Sequence, residues 1–377
     1  MQLSFWEKDR FFSAVDVLVV GSGIVGLNAA LQLKKASPAL RVLVMERGVL
    51  PSGASTRNAG FTCFGSCSEL IDDLQQSSAD EVFALVEKRF RGLQRLRENL
   101  GEAAIRYEEL GGYELFDSEE RFAACKEQME TFNRRLQALT GKAETYREAD
   151  ADIARFGFKG VKHLLLNTAE GQIDTGRMME ALIDKALAAG VRIFNGLGLL
   201  SFEEDGDGVI LHTDQDFTIR CKKLLVCTNG FAKQLLPGYD VEPARAQVLI
   251  TAPVPGLRIR GAFHYDRGYY YFRNVGERVL FGGGRNLDFQ TENTTEMGLT
   301  PLVQHKLEEL LRTVILPGTP FTVEQRWSGI MGVGSRKSSI VQPVKKHVFC
   351  AVRMGGMGVA IGSLVGEEAA EMVLKTI

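Results

Sequence analysis

Residues 15–46 read VDVLVVGSGIVGLNAALQLKKASPALRVLVME. An apolar run, Val15 to Val20, meets Gly21-x-Gly23-x-x-Gly26, and an amphipathic helix opens at once at Ile24 and Val25. A second apolar run from Arg41 to Met45 ends in Glu46, twenty residues past the last glycine. Gly21 suits the tight turn out of a strand. Gly23 lets backbone approach a pyrophosphate, and Gly26 lets the helix pack closely on the sheet. The free N–H groups and positive dipole end of the helix favour phosphate. Glu46 can accept from a ribose diol. The pattern predicts an ADP-containing dinucleotide. A turn that binds nothing would leave three glycines and one carboxylate unexplained.

With 377 residues the chain is long enough for two domains. Its net charge is −2, and no Lys/Arg block marks a nucleic-acid footprint. No apolar run reaches bilayer length. The start, MQLSFWEKDRFF, carries Glu7 and Asp9 where a signal peptide would be basic. The expectation is a cytoplasmic protein. Six cysteines in a chain of this size make no disulfide framework. Cys63 and Cys67, in CFGSC, read as packing or as a redox pair; without a second Cys/His pair they are a poor zinc signature, and no metal is expected.

Ser78-x-x-Glu81 is a capping box, and the apolar spacing from Val82 to Leu100 predicts a helix over 78–100. A short strand near 113–116 and a charged helix over about 118–140 follow. Thr175 can cap a helix to Ala189, ended by Gly190. VRIFNG is a strand, and 208–227 read as a hairpin ending in LLVCTNG. Residues 243–285 are strand-rich, 301–314 helical, and HVFCAV, MGGMG and a helix close the chain. A second glycine-rich strand-to-helix junction, at Gly355, Gly356 and Gly358, argues against a dinucleotide domain followed by a separate catalytic one, the order of many nicotinamide dehydrogenases. A nucleotide half built from three separated segments accounts for it. The fold class is α/β with an α+β second domain. Residues 1–75, 165–240 and 325–377 would form a Rossmann-like nucleotide domain. Residues 76–164 and 241–324 would form a mixed-sheet substrate domain with helices.

GSGIVG with Glu46, GASTRNAGF, LLVCTNGF, VEPARAQVLIT, GYYYFRN, VLFGGGRN, WSGIMG and GGMGVAIG occur in that order. Together they resemble the D-amino-acid-oxidase superfamily of FAD enzymes, which includes glycine oxidases, sarcosine oxidases and γ-glutamylputrescine oxidoreductases. The resemblance implies that Gly21, Gly23, Ile24, Val25 and Gly26 face the FAD pyrophosphate, with Glu46 and Arg47 at the adenosine ribose. Ser55 and Thr56 would reach the pyrophosphate and ribityl region, and Asn58, Ala59, Gly60 and Phe61 would lie along the flavin. Arg57 would ease the charge of the reduced flavin. Leu199 would meet the adenine through its backbone, and Thr228, Asn229 and Gly230 would close over the adenosine end. Gly355, Gly356, Met357 and Gly358 would bring a helix N-terminus to the pyrimidine side.

The substrate residues depart from the family. The position after W-x-G-x that often carries a carboxylate-binding arginine is Met331, and the position of a sarcosine-oxidase lysine is Ala360. Residues 328–349 hold no cysteine, so the flavin is expected to be non-covalent. In GYYYFRN, period two puts Tyr269, Tyr271 and Arg273 on one face, either an anion and aromatic clamp or a solvated edge. Arg353, Arg326 and Arg336 are further arginine candidates, and His264 is the histidine expected nearest the site. The expected reaction is oxidation of the CH–NH bond of a small amine or amino acid by hydride transfer to flavin N5, giving an imine that hydrolyses. Oxygen or a quinone would take the electrons. FAD-dependent oxidation of a 2-hydroxy acid is the alternative, followed by a non-catalytic FAD module. Oligomeric state is left open.

Overall fold

A computed structural model describes residues 2–377. Two eight-stranded sheets organise it. At the centre of the first, Val15–Val20 pairs in parallel with Val42–Glu46 on one side and Thr218–Val226 on the other. Arg192–Asn195 extends it beyond Val42–Glu46, and Val348–Val352 and Ile340–Pro343 extend it beyond Thr218–Val226. Strands buried on both faces read as unbroken apolar runs, which is why VDVLVV and VLVME stand out in the sequence.

Helices cover one face of this sheet. The C-terminal helix Gly358–Leu374 lies between Ile24–Ala36 and Ala79–Leu100. Glycines set the spacing. A Cβ on Gly366 would stand 2.7 Å from Val25 O, one on Gly362 2.7 Å from Ile24 Cγ2, and one on Gly92 would overlap Ala360 O. The capping box at Ser78 and Glu81 is formed, with each side chain on the other's backbone N–H. The other expected cap shifts by one residue. Asp174 caps the helix Thr175–Ala188 by accepting from Arg177 N, and the Thr175 hydroxyl turns to Asn58 instead. The strand Leu199–Asp205 pairs with Gly208–Thr213 and was not anticipated from the sequence.

The second sheet runs in the order Val323–Val333, Glu242–Thr251, Arg278–Gly283, Tyr270–Val275, Ala262–Tyr265, Gly112–Phe116, His163–Asn167, Tyr146–Glu148. Its outer face buries Leu249, Phe263, Phe272 and Phe281 against Val303 and Leu307 of the helix Pro301–Leu310. The register fixes what the inner face carries. Trp327 opposes Val248, Val248 opposes Gly282, Gly282 opposes Tyr271, Tyr271 opposes His264, and His264 opposes Glu114. Side chains alternate across a strand, so this row faces one way. It packs on Ala59 and Phe61. The segment 54–61 is therefore clasped between the two sheets. No helix among the described residues is long and apolar enough to cross a membrane.

Candidate active site

The first glycine junction turns as its residue types require. Gly21 has φ +106°, and a Cβ there would meet Cys227 O at 2.8 Å. A Cβ on Gly26 would overlap Gly21 O. The helix Ile24–Ala36 begins at Gly23 with no side-chain cap, which leaves a cradle open to an anion. Ser55 Oγ closes part of it by accepting from Ile24 N at 3.0 Å. Glu46 is buried. Its Oε2 accepts from Ser22 N and Ser22 Oγ, and Oε1 accepts from Gly48 N, so one acceptor position on Oε1 remains for a ligand. Arg47 stacks 3.6 Å over the Phe231 ring. Leu199 opens the strand just beyond Gly198, whose N–H is held by Asp214. The Thr228 hydroxyl is buried without a partner. Asn229, at φ +44°, accepts from Met354 N, which ties this corner to the second junction. Gly230 lies so close to the strand Val323–Val333 that a Cβ would reach Met331 O at 2.5 Å.

The loop 54–61 is held from several sides. Thr56 Oγ1 donates to Pro51 O. Arg57 donates to Ser52 O and Ser328 O, and Trp327 Nε1 donates to Arg57 O, each at 3.0 Å. Asn58 donates to Ala54 O and Ser55 O and accepts from Gly60 N and Thr175 Oγ1. Gly60 has φ +73°, and its carbonyl accepts from Ile173 N. Arg273 completes the clasp. It is 6% exposed, and its guanidinium donates to Ala59 O and to Ile173 O. Period two placed Arg273 and Tyr271 on the inner face, but the expected role as a free anion anchor does not match this geometry, because loop carbonyls take its donors. Tyr269 also departs from the expected trio. The strand starts at Tyr270, after a turn with positive φ at Asp266, Arg267 and Gly268, and Tyr269 is 37% exposed.

At the second junction Gly355 and Gly356 have φ +59° and +82°, and Met357 precedes the helix Gly358–Leu374 with no side-chain cap. A Cβ on Gly356 would lie 3.3 Å from Met331 Sδ. Arg353, at φ +65°, is buried and donates to Ser338 O, Asp240 O and Asp240 Oδ2. It braces the junction through Nε and Nη1. Arg326 is likewise spent, on Gln304 and Glu308 at the outer face, and Arg336 is exposed.

Beside the loop the inner face becomes polar. Phe61 packs edge-on against Tyr271 and His264, with centroids 5.7 and 5.3 Å apart. Gly282 leaves room for the Tyr271 ring, and Gly112 leaves room for Glu170. Glu170 Oε1 accepts from Phe64 N and Gly65 N, while Oε2 lies 3.9 Å from His264 Nε2, too far for a hydrogen bond. Between them is a cavity of about 10 Å³, also lined by Glu114, Tyr146 and Asn167. One water fits, and unpartnered His264 Nε2 and Asn167 Nδ2 would meet it. Burial pushes Glu170 up to about 8, against its two amide bonds and with Glu69 and Glu114 adding to the rise. Burial likewise raises Glu114 to about 7, against hydrogen bonds from Ser68 and Ser66. It lowers His264 to about 4, so the imidazole is neutral at physiological pH. Cys67 is buried nearby, its thiol donating to Cys125 O, and it forms no disulfide with Cys63.

Glu170 and Glu114 were not singled out in the sequence. They reach the cavity from a loop and a strand far apart in the chain, with no motif between them. The folded chain holds the Glu170 proton that the unfolded chain releases, so stability falls as pH rises from about 4.5 to about 8. Glu170→Gln keeps the acceptor for Phe64 and Gly65. It is expected to flatten that fall, by up to about 5 kcal/mol, in urea midpoints measured across the window. An unchanged slope would show that Glu170 is ionised in the folded protein.

The DAO family model, described as FAD dependent oxidoreductase, matches residues 16–372. The chain belongs to this family. A glycine oxidase of Geobacillus kaustophilus is 28% identical over 280 residues, covering 71% of this chain and 69% of that protein. The γ-glutamylputrescine oxidoreductase of Escherichia coli K12 is 25% identical over 381 residues, covering 95% and 83%. The structure of iminodiacetate oxidase from Chelativorans sp. BNC1 shares the fold, with a TM-score of 0.78 at 18% identity over 96% of each chain.

This DAO-family oxidoreductase takes FAD, and the two uncapped helix starts, the glycine cradles and the orphaned Thr228 hydroxyl fit it. The nearest cysteine past the Trp327 segment, Cys350, is buried within the strand Val348–Val352. All FAD should therefore leave on acid denaturation. Yellow colour that sediments with the precipitated polypeptide would contradict non-covalent binding.

Proposed function

We propose that this enzyme oxidises the CH–NH bond of a small amine or amino acid to an imine, which water then hydrolyses to a carbonyl compound and an amine or ammonia. The observation that carries the reading is His264. Its largely buried imidazole lies in the same inner row as Tyr271, packs on Phe61 of the loop and has its pKa lowered to about 4 by burial. Such a desolvated, uncharged row accepts a neutral amine more readily than an ammonium ion. FAD, when bound, supplies the two-electron acceptor. The chain's own residues hold and shape the site. Gly21, Gly23, Gly26 and Glu46 would take the ADP half, and Ser55, Thr56 and the backbone of 58–61 the flavin half. The helix starting at Gly358 would place its positive end beside the redox centre, where it favours an anionic reduced state. Arg273, Arg57 and Arg353 position these segments. Phe61, Tyr271, Trp327 and Val248 exclude water from the inner face. The glycine oxidase, the γ-glutamylputrescine oxidoreductase and the iminodiacetate oxidase are all named for amine compounds, which supports the same bond here. Oxygen or a quinone completes the cycle.

The test is product analysis in air and with a quinone, trapping carbonyls as hydrazones from a panel of primary amines, secondary amines and amino acids. A hydrazone with an equivalent of released amine or ammonia is the expected result. The alternative, 2-hydroxy acid oxidation, is motivated by Met331 at the position where amino-acid oxidases hold arginine. An oxo acid formed from hydroxy acids alone would establish it.

A further inference from the structure

The three arginines best placed by sequence to bind an anionic substrate are all occupied: Arg273 by Ala59 O and Ile173 O, Arg353 by Asp240 and Ser338, and Arg326 by Gln304 and Glu308. Among the described residues one guanidinium is neither exposed nor engaged in a hydrogen bond or ion pair. It belongs to Arg285, in VLFGGGRN, and its Nε is buried without a partner. The adjacent Asn286 Oδ1 is also buried and unpartnered. A buried donor and a buried acceptor left unmet side by side cost about 1–3 kcal/mol each. Such groups in a folded protein point to a ligand or ordered water.

The surroundings suit an anion. The turn Gly283–Gly284, with φ +122° and +79°, folds the chain back after the strand Arg278–Gly283, and Gly284 N donates to Tyr269 O at 2.9 Å. Arg285 is thereby pinned beside Tyr269, two residues before Tyr271, whose ring packs on Phe61. The guanidinium carbon stands 4.9 Å from the centroid of Phe289, and Phe289 meets Tyr269 edge-on at 6.2 Å. An aromatic pair thus supports one side of the guanidinium and leaves its forked edge free. Glu292, the carboxylate whose charge acts on Arg285, is already bound by Arg245, Gln247 and Thr300. Burial lowers the Arg285 pKa from its ordinary value, and Tyr269 and Glu292 oppose that shift.

We propose that Arg285 binds the substrate's carboxylate, with Asn286 accepting from an N–H of the same ligand and Tyr269 and Phe289 flanking it. The substrate class is then an amino acid or N-substituted amino acid rather than a simple amine. This rests on the amine-oxidising reading above. It also accounts for Met331, since the anion is read from the turn that follows another strand.

The test titrates the FAD-loaded enzyme with benzoate and with uncharged benzamide, following the flavin absorbance. Benzoate should perturb the wild-type spectrum. Arg285→Met should weaken benzoate by about thirtyfold or more and leave benzamide unchanged. Arg285→Lys, which keeps the charge and loses the fork, should still weaken benzoate about tenfold, and it carries the test should the Met variant lose FAD. Equal benzoate affinity in wild type and either variant overturns the proposal, as does benzoate binding that leaves the flavin spectrum untouched. Flavin reduction by amines with no effect of Arg285 would sink this inference alone. Charge-dependent benzoate binding without reduction by any amine would sink the amine reading and leave the anion site standing.

Discussion

Arg273→Ala is expected to lower stability by about 3–5 kcal/mol and to weaken FAD binding by at least about a hundredfold. The side chain is buried and donates to Ala59 O, Ile173 O and, at 3.4 Å, Asn274 O. Its removal leaves buried carbonyls unpaired and opens a void at the base of loop 54–61. Burial lowers the guanidinium to about 10, with Asp174 and Glu108 opposing the shift, so it stays charged at neutral pH. Arg273→Lys should recover little, since one ammonium cannot span the two carbonyls. Urea unfolding of the apoprotein and fluorescence titration with FAD measure the two effects separately. Unchanged stability and FAD affinity with a raised KM would return Arg273 to the substrate.

Gly23→Val should give a folded but colourless protein. Gly23 has φ −74° and ψ −177°, extended backbone that valine accepts, so the fold has no reason to fail there. The added Cβ would lie 2.8 Å from Ser55 Oγ, and its two methyls would fill the cradle below the helix start. Backbone could no longer approach a pyrophosphate. Native far-UV circular dichroism with no FAD in an acid extract is the expected pair of results. Stoichiometric FAD in Gly23→Val would show that the dinucleotide lies elsewhere. Gly21→Val differs, because φ +106° and the nearby Cys227 carbonyl forbid a side chain in the fold itself.

What the sequence makes legible here is local. Gly21, Gly355 and Gly356 announce left-handed turns and Gly23 and Gly26 a close approach, and a capping box at Ser78 needs only four residues to specify it. Asp174 and Thr175 are both cap-forming types, so the sequence cannot decide between neighbours one residue apart. The strand Leu199–Asp205 escapes detection because its polar run FEED lies on an exposed edge and the pairing shifts register at His212 and Thr213. Period two correctly groups Tyr271 with Arg273 but says nothing of what packs on that face. That it is loop 54–61, and that its carbonyls absorb the arginine, follows only from how two sheets meet. The Glu170–His264–Glu114 cluster is hidden for the same reason, since its members come from distant segments. The unpaired state of Arg285 cannot be read from GGGRN, because it depends on Glu292 being taken by Arg245.

The most direct test of the account is anaerobic mixing of the FAD-loaded enzyme with amino acids, N-alkyl amino acids, simple amines and 2-hydroxy acids, following loss of the oxidised flavin band. The account predicts stoichiometric bleaching by at least one amino acid or N-alkyl amino acid, slowed when its α-hydrogen is replaced by deuterium. A flavin bleached only by 2-hydroxy acids, or by none of these compounds, would contradict it.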